Sequence, residues 1–251
     1  MREPVAIIGV GQLGGTFGQG LLRLGVPVVP VLRGEELGRL SALAPRAVLV
    51  SVGEGDLHAT LEALPTDLRD RVVLVQNELR TPDLSAHGLT TPTVAVVWFE
   101  KKRGRAAKVV RTTRVAGPHA DMFRRALEAV DLPARVVDER DLSFELVRKN
   151  VYILSTNIAG IAVGGTTGEL ASAHKELALE VVHDVLSLEE AIADAALPRE
   201  SLVEIAFADF RADPEHTCSG RSAPTRLARA LEHADRLGLA VPALRRIAAG
   251  S

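Results

Sequence analysis

Two segments of the sequence carry residues whose types and spacing could do chemistry. The first is Gly9-Val-Gly11-Gln12-Leu13-Gly14, which follows the apolar run Val5-Ala-Ile-Ile and opens a helical pattern over residues 13–24. Strand, glycine turn and helix form the context in which G-x-G-x-x-G binds a dinucleotide, because glycines allow a tight turn and close approach of the backbone to a pyrophosphate. Helix N-terminal N–H groups favour the phosphates. We predict a cofactor site at Gly9, Gly11, Gln12, Leu13 and Gly14; the alternative is a purely structural turn.

The second segment is a helical pattern that begins near residue 141. Apolar residues recur along it in steps of three and four, while Lys149, Ile153 and Asn157 lie four apart on a different face. A protonated lysine can stabilise the alkoxide formed when hydride adds to a carbonyl, and can then donate its proton. Lys149 is therefore a candidate proton donor. The alternative is that Lys149 is a surface lysine paired with Glu145, one turn earlier.

The residues after the second predicted strand bear on which dinucleotide is bound. NAD-preferring sites place an acidic residue at the end of this strand, whereas an arginine nearby accommodates the 2′-phosphate of NADP. Here the strand ends Val31-Leu32-Arg33-Gly34 without an acid at its tip. The sequence favours NADP, with Arg33 as the phosphate ligand. Glu35 and Glu36 follow closely and could instead hold the ribose of NAD.

The first half of the chain alternates predicted strands with predicted helices. Strands are expected at residues 5–10, 26–32, 47–52 and 72–76, and helices at residues 13–24, 35–44 and 57–64. This alternation is typical of a parallel, doubly wound sheet. Pro27 and Pro30 weaken the second strand as a regular ladder member.

From residue 93 the pattern changes. Strands at residues 93–99, 108–112 and 135–138, with a helix at 121–130, are expected to add antiparallel or mixed strands at the far edge of the sheet. After residue 140 only helices are predicted, at residues 141–163, 175–195, 199–213 and 225–237. The expected fold is α/β, with a Rossmann-type domain over residues 1–139 and an all-helical domain over residues 140–251.

Composition narrows the class of protein. The net charge is −2, which gives no electrostatic footprint for nucleic acid or for an anionic membrane, and no apolar stretch is long enough to cross a bilayer. The single cysteine, Cys218, allows no intramolecular disulfide, and the histidine spacing predicts no metal site. The first strand begins almost at Met1, which leaves no room for a signal peptide. We expect a cytoplasmic protein with no bound metal.

Several motifs together resemble the ketopantoate reductase (2-dehydropantoate 2-reductase) family over most of the chain. The glycine loop and Leu32-Arg33 are similar to that family's cofactor loop and phosphate-binding arginine. Val75-Gln76-Asn77 is similar to its Q-N-G segment, which assigns Asn77 a place beside cofactor and substrate. Lys149, Asn157 and Gly168-Glu169-Leu170 align without a gap with its K…N…G-E-L stretch, where the lysine is catalytic. The resemblance implies a 6-phosphogluconate-dehydrogenase-like fold.

The sequence also departs from the family pattern. Ile153 replaces an asparagine that usually follows the catalytic lysine by four residues, and Thr167 replaces another substrate-binding asparagine. Ser222-Ala-Pro-Thr-Arg-Leu-Ala stands where the family has E-x-D-x-x-N-G, so the late catalytic glutamate is missing, and Ser51-Val52-Gly53-Glu54 lacks a strand-three lysine. Because a site built on hydrogen bonds discriminates through them, these losses predict a changed substrate.

These observations lead to a functional expectation with two alternatives. The chain is expected to be an NADPH-dependent reductase of a small carbonyl compound resembling a 2-keto acid, with Lys149, Asn77 and Asn157 in the active site. One alternative is a reductase or dehydrogenase acting on a different, less polar substrate; the other is a catalytically silent NADP-binding dimer. The resemblance also implies a homodimer that associates through the helical domain.

Overall fold

The computed structural model describes residues 3–250 and divides into two compact units, Met1–Leu146 and Val147–Ser251. The first unit is built on a seven-stranded sheet, and a separate two-stranded sheet lies within the same unit. Among the described residues, the strands are β1 Val5–Ile8, β2 Val28–Val31, β3 Ala47–Val50, β4 Val72–Leu74, β5 Thr93–Val96, β6 Phe99–Glu100, β7 Lys108–Val109, β8 Thr113–Ala116 and β9 Ala134–Val136.

The main sheet has the order β2-β1-β3-β4-β5-β8-β9. Strands β1 to β5 are parallel, β8 is antiparallel to β5, and β9 is parallel to β8. The chain leaves β1 toward β2 on one side and returns to β3 on the other. In open parallel sheets ligands bind outside the carboxyl ends of strands at such a switch point. The topology therefore predicts a ligand site at the carboxyl ends of β1 and β3.

The expected strands are confirmed in the first half, with one correction beyond β5. Residues 108–112 were expected in the sheet, but Lys108–Val109 pairs instead with Phe99–Glu100 in the small sheet, and Thr113–Ala116 is the strand that pairs with β5. Thr113, Val115 and Ala116 are buried, whereas Lys108 and Val109 are exposed. The segment with the more buried side chains is therefore the one that forms the strand beside β5. Pro30 is tolerated because β2 is an edge strand.

In the described part of the first unit, five α-helices accompany the strands. They are α1 Gln12–Arg23, α2 Arg39–Leu43, α3 Leu57–Ala63, α4 Thr81–Ala86 and α5 Ala120–Glu128. The core lies between the sheet and helices α1 and α5, where the Phe17 and Phe123 rings pack 5.7 Å apart. Helix α2 is shorter than the expected 35–44, because Glu35 lies in the turn after β2, where its carboxylate accepts the Leu32 N–H.

The second unit is helical, as expected. Its helices are α6 Glu139–Val163, α7 Thr167–Leu170, α8 Lys175–Ala193, α9 Arg199–Ala212, α10 Ala223–Arg236 and α11 Pro242–Ala249, and α6 begins within the first unit. The unit boundary lies between Leu146 and Val147, seven residues beyond the expected 139/140, because the start of α6 packs on the sheet unit. There the Glu145 carboxylate lies 3.8 Å from the Arg114 guanidinium.

The fold places a strict steric limit on Gly14. A Cβ atom there would lie 2.3 Å from the Gly9 carbonyl oxygen, whereas a Cβ on the next residue, Gly15, meets no atom within 4 Å. We expect Gly14→Ala to lower the free energy of unfolding by about 1–3 kcal/mol because the loop and helix must separate. Gly15→Ala should raise it by about 0.5–1 kcal/mol through helix propensity. Urea denaturation of both variants checks this; equal effects would show that the loop yields easily.

Candidate active site

The glycine loop follows the carboxyl end of β1 and leads into α1. Gly9 has a φ of +88°, and a Cβ there would lie 3.0 Å from the Ser51 carbonyl oxygen. By contrast, a Cβ on Gly11 would meet no atom within 4 Å, so the loop is open on that side. Gln12 is exposed as the first residue of α1, and Leu13 packs against the core. The loop thus presents backbone and the helix N-terminus rather than side chains.

Ser51, at the end of β3, holds this loop in place. Its hydroxyl donates to the Gly9 carbonyl oxygen at 2.6 Å, and its backbone N–H donates to the Ile8 carbonyl oxygen at 2.8 Å. A Cβ on Gly14 would also lie 2.4 Å from the Ser51 hydroxyl oxygen, so Gly9, Gly14 and Ser51 pack closely against one another. Ser51 is a positioning residue that the sequence reasoning missed.

The carboxyl ends of β1, β2 and β3 border a cavity of about 480 Å³. Gly9, Gly11 and Arg33 all line it, so the structure brings these predicted cofactor residues together. The Arg33 side chain is 91% exposed and its guanidinium donates to the Asp56 carboxylate at 2.9 Å. Glu35, the alternative ribose ligand, accepts the Leu32 N–H and lies 3.0 Å from Arg39. Asp56 is a further acidic residue at this site, which the sequence analysis did not identify.

Gln76 and Asn77 tie β4 to the segment after β3. The Gln76 amide donates to the Val50 carbonyl oxygen at 2.8 Å and to the Val52 carbonyl oxygen at 3.3 Å. The Asn77 amide donates to the Glu54 carboxylate at 3.2 Å. Asn77 is thereby positioned by Glu54, which follows β3.

Lys149 lies in the second unit, on α6, and its side chain is partly buried. Its ammonium nitrogen is 5.9 Å from the centre of the Tyr152 ring. The pKa of Lys149 is lowered to about 7, mainly by burial and also by the positive charge of Arg226, while the carboxylate of Asp209 opposes both effects. Lys149 is therefore not the fully exposed surface lysine that the sequence also allowed. An amine with such a pKa can exchange a proton near neutral pH.

Two arginines of the second unit have different partners. Arg148 binds Asp209 through two hydrogen bonds of 2.8 Å, from Nε and Nη2, and Asp209 is fully buried. Arg226, on α10, is 8% exposed, and its Nη1 donates to the Asn157 side-chain oxygen at 2.8 Å. The structure therefore brings Asn157 together with Arg226, and the positive charge of Arg226 lowers the pKa of Lys149.

The predicted residues are divided between the two units. The glycine loop, Arg33 and Asn77 belong to the first, and Lys149 and Asn157 to the second. The sequence reasoning missed Arg226 and Asp209, and the one available signal was that Arg226 falls in the segment that departs from the family pattern.

Within residues 3–250, no cluster of three or more His, Cys, Asp or Glu side chains could hold a metal ion. No helix in the same range is suited in length and hydropathy to crossing a membrane.

No protein-family model matches the sequence, and no curated protein matches it either. Solved structures do match over nearly the whole chain. The 2-dehydropantoate 2-reductase from Methylococcus capsulatus aligns with a TM-score of 0.71 at 14% identity, covering 98% of this chain and 94% of its own. A dimeric ketopantoate reductase from Staphylococcus aureus aligns with a TM-score of 0.69 at 16% identity, covering 97% and 96%.

D-mandelate dehydrogenase in complex with NADH is a third structure of this kind. It aligns with a TM-score of 0.70 at 13% identity, covering 98% of this chain and 96% of its own. At these identities the likeness concerns the fold. The resemblance drawn from the motifs is confirmed at that level: the chain has the fold of the ketopantoate reductases and of D-mandelate dehydrogenase.

Proposed function

We propose that the protein is an NADPH-dependent reductase of a small carbonyl compound resembling a 2-keto acid. The observation that carries the proposal is Lys149, whose pKa of about 7 suits a general acid working near neutral pH. The fold shared with two ketopantoate reductases and D-mandelate dehydrogenase supports the same class of reaction by analogy.

The first unit fits a nicotinamide dinucleotide. The open space beside Gly11 lets a pyrophosphate approach the backbone and the N-terminus of α1, while Gly9 and Gly14 keep the turn tight. Arg33, on the same cavity, suits a 2′-phosphate, which favours NADP over NAD. When bound, the reduced cofactor supplies the hydride. Gly9, Gly11, Gln12, Leu13 and Gly14 hold its phosphates in this proposal, and Asn77 contributes an amide.

The second unit supplies the proton. The protonated Lys149 donates a hydrogen bond to the substrate carbonyl oxygen, which polarises the C=O bond. As the carbonyl carbon accepts hydride, the oxygen takes a proton from Lys149, so the products are an alcohol, an oxidised cofactor and a neutral lysine that regains its proton from water. Asn157, held by Arg226, orients the reacting group.

A homodimer forms part of the proposal. The ketopantoate reductase from Staphylococcus aureus is described as dimeric, and its fold matches over 97% of this chain.

Ile153 favours the alternative of a less polar substrate, because it places an apolar side chain between Lys149 and Asn157 on the same helix face.

Removing the Lys149 amine should separate catalysis from cofactor binding. We expect Lys149→Ala to lower kcat/KM for carbonyl reduction by about 10²–10⁴-fold, because the proton donor is lost. The dissociation constant for NADPH, measured by fluorescence, should change little. Lys175→Ala, at an exposed lysine on α8, serves as the matched control.

Each contrary result removes a different part of the proposal. Unchanged turnover in Lys149→Ala would refute the proton donor. Failure of the wild-type protein to bind NADPH would refute the cofactor assignment. Tight NADPH binding without turnover of any compound in a broad carbonyl panel would instead support the silent dimer.

Asp56 should limit the preference for NADPH. Its carboxylate pairs with Arg33 and repels a 2′-phosphate, so Asp56→Asn should tighten NADPH binding by about two- to fivefold. NADH binding should stay nearly constant, because NADH lacks that phosphate. Asp121→Asn, at another exposed acid paired with an arginine, is the control for calorimetric titrations with both cofactors. Equal changes for NADPH and NADH in Asp56→Asn would contradict the role of Arg33.

A further inference from the structure

Two histidines form a contact in the first unit that the proposed reaction does not use. His58 lies in the first turn of α3, and His87 follows the last residue of α4. The Nδ1 atom of His58 is 2.7 Å from the Nε2 atom of His87, and the two ring centres are 5.0 Å apart. His87 is 9% exposed, whereas His58 lies at the surface. The contact therefore joins α3 to the end of α4 through a buried ring.

Helix α3 also forms part of the cofactor cavity. The residues of α3 that line this cavity are Ala59, Thr60 and Ala63. Asp56, which pairs with Arg33, immediately precedes α3. A helix of only seven residues depends on tertiary contacts for its stability. A displacement of α3 would thus move one wall of the cavity and the partner of Arg33.

The hydrogen bond between the two rings depends on their protonation. It needs one facing nitrogen that carries a proton and one that does not. A first added proton leaves the bond intact, because a protonated ring can still donate to a neutral one. When both rings are protonated, two N–H groups face each other, so one ring has to turn away. The contact is therefore lost only when the second proton is added.

Charged groups from three elements act on the charge of His87. They are Glu62 on α3, Asp83 on α4 and Arg69 in the 3₁₀ turn Thr66–Arg71. The pKa of His87 is lowered, mainly by burial and also by positive charge on His58 and Arg69, while the two carboxylates oppose this shift. A histidine whose pKa is lower in the folded state makes that state less stable as the pH falls below about 6.5, the pKa of an unperturbed histidine.

We propose that the contact between His58 and His87 is acid-sensitive, so that protonation of both rings releases α3 and weakens cofactor binding in the cavity that α3 borders; the link to the cofactor rests on the function proposed above. At neutral pH the contact holds α3 in place beside the cavity. In acid, α3 separates from the end of α4 and the affinity for the cofactor falls. By the same coupling, bound cofactor makes the contact more resistant to acid.

The test measures NADP⁺ binding and the exposure of α3 at about pH 7.5 and about pH 5.5, on either side of the ordinary histidine pKa. Calorimetric titration of the full-length protein gives the ratio of the dissociation constant in acid to that at neutral pH. Dividing the wild-type ratio by the variant ratio cancels the protonation of the cofactor's own 2′-phosphate. Amide hydrogen exchange of the peptide that contains α3, corrected for the intrinsic effect of pH on exchange, reports release of the helix without any ligand.

The variants are His87→Gln, His58→Gln and the control His183→Gln, at an exposed histidine of the second unit. Glutamine keeps a hydrogen-bond donor and an acceptor but gains no proton in this pH range. We expect the wild-type ratio to exceed that of His87→Gln by about three- to tenfold, since one pKa unit between two states is about a factor of ten in their equilibrium. Exchange of α3 should rise in acid by a similar factor in the wild type and in His183→Gln, but not in His87→Gln.

The outcomes separate this inference from the function on which it rests. Equal pH dependence of α3 exchange in the wild type and in His87→Gln would overturn it, because α3 would then not depend on the contact. Equal ratios for NADP⁺ would also overturn it, since release of α3 would not reach the cavity. If the wild-type protein binds no NADP⁺ at either pH, the proposed function and the link to the cofactor both fail, while the exchange result still decides the contact. His58→Gln, at the surface, gives the same comparison if the buried variant does not fold.

Discussion

The proposed chemistry depends on a lysine whose positive charge is disfavoured inside a helical unit. Water no longer screens the Lys149 ammonium fully, and Arg226 adds a charge of the same sign, so the protonated amine is disfavoured. Asp209 limits this effect and is itself bound through two hydrogen bonds to Arg148. The balance leaves Lys149 able to carry a charge and also to give up its proton near neutral pH. Without that balance, Lys149 would be an ordinary lysine, charged throughout the physiological range.

A different constraint shapes the first unit. The loop after β1 must pass close to the end of β3, which Gly9 and Gly14 permit because a Cβ on either would meet neighbouring atoms. Ser51 then bonds the loop from β3, and Gln76 bonds the end of β3 from β4. These contacts set the loop before any ligand arrives, so little ordering remains to be done on binding.

Local patterns in the sequence were sufficient for most of the fold. The glycine loop, the parallel strands and the long helix that carries Lys149 each depend on residues that are near neighbours in the chain. The error at residues 108–112 arose because Lys108-Val-Val and Thr113-Arg-Val-Ala are both short β-branched runs, and only burial against β5 decides between them. The length of α2 depended on Glu35, which turns back to the Leu32 N–H.

The missing parts of the site depend on long-range contacts. Ser51 and Gly9 are 42 residues apart, and Arg226 and Asn157 are 69 apart, so no periodicity or spacing rule relates them. The motif resemblance predicted that Ser222-Ala-Pro-Thr-Arg-Leu-Ala lacks the family's glutamate, but it gave no indication that Arg226 in that segment reaches Asn157. The partners of such polar residues can be identified only once the folded structure is known.

The pH dependence of carbonyl reduction tests the central claim about Lys149 most directly. With saturating NADPH, kcat/KM should be level below about pH 7 and fall about tenfold per pH unit above it, because only protonated Lys149 can donate. Oxidation of the alcohol by NADP⁺ should show the opposite profile, since it requires the neutral amine. A profile for reduction that stays level until the ordinary lysine pKa of 10.5 would contradict the account.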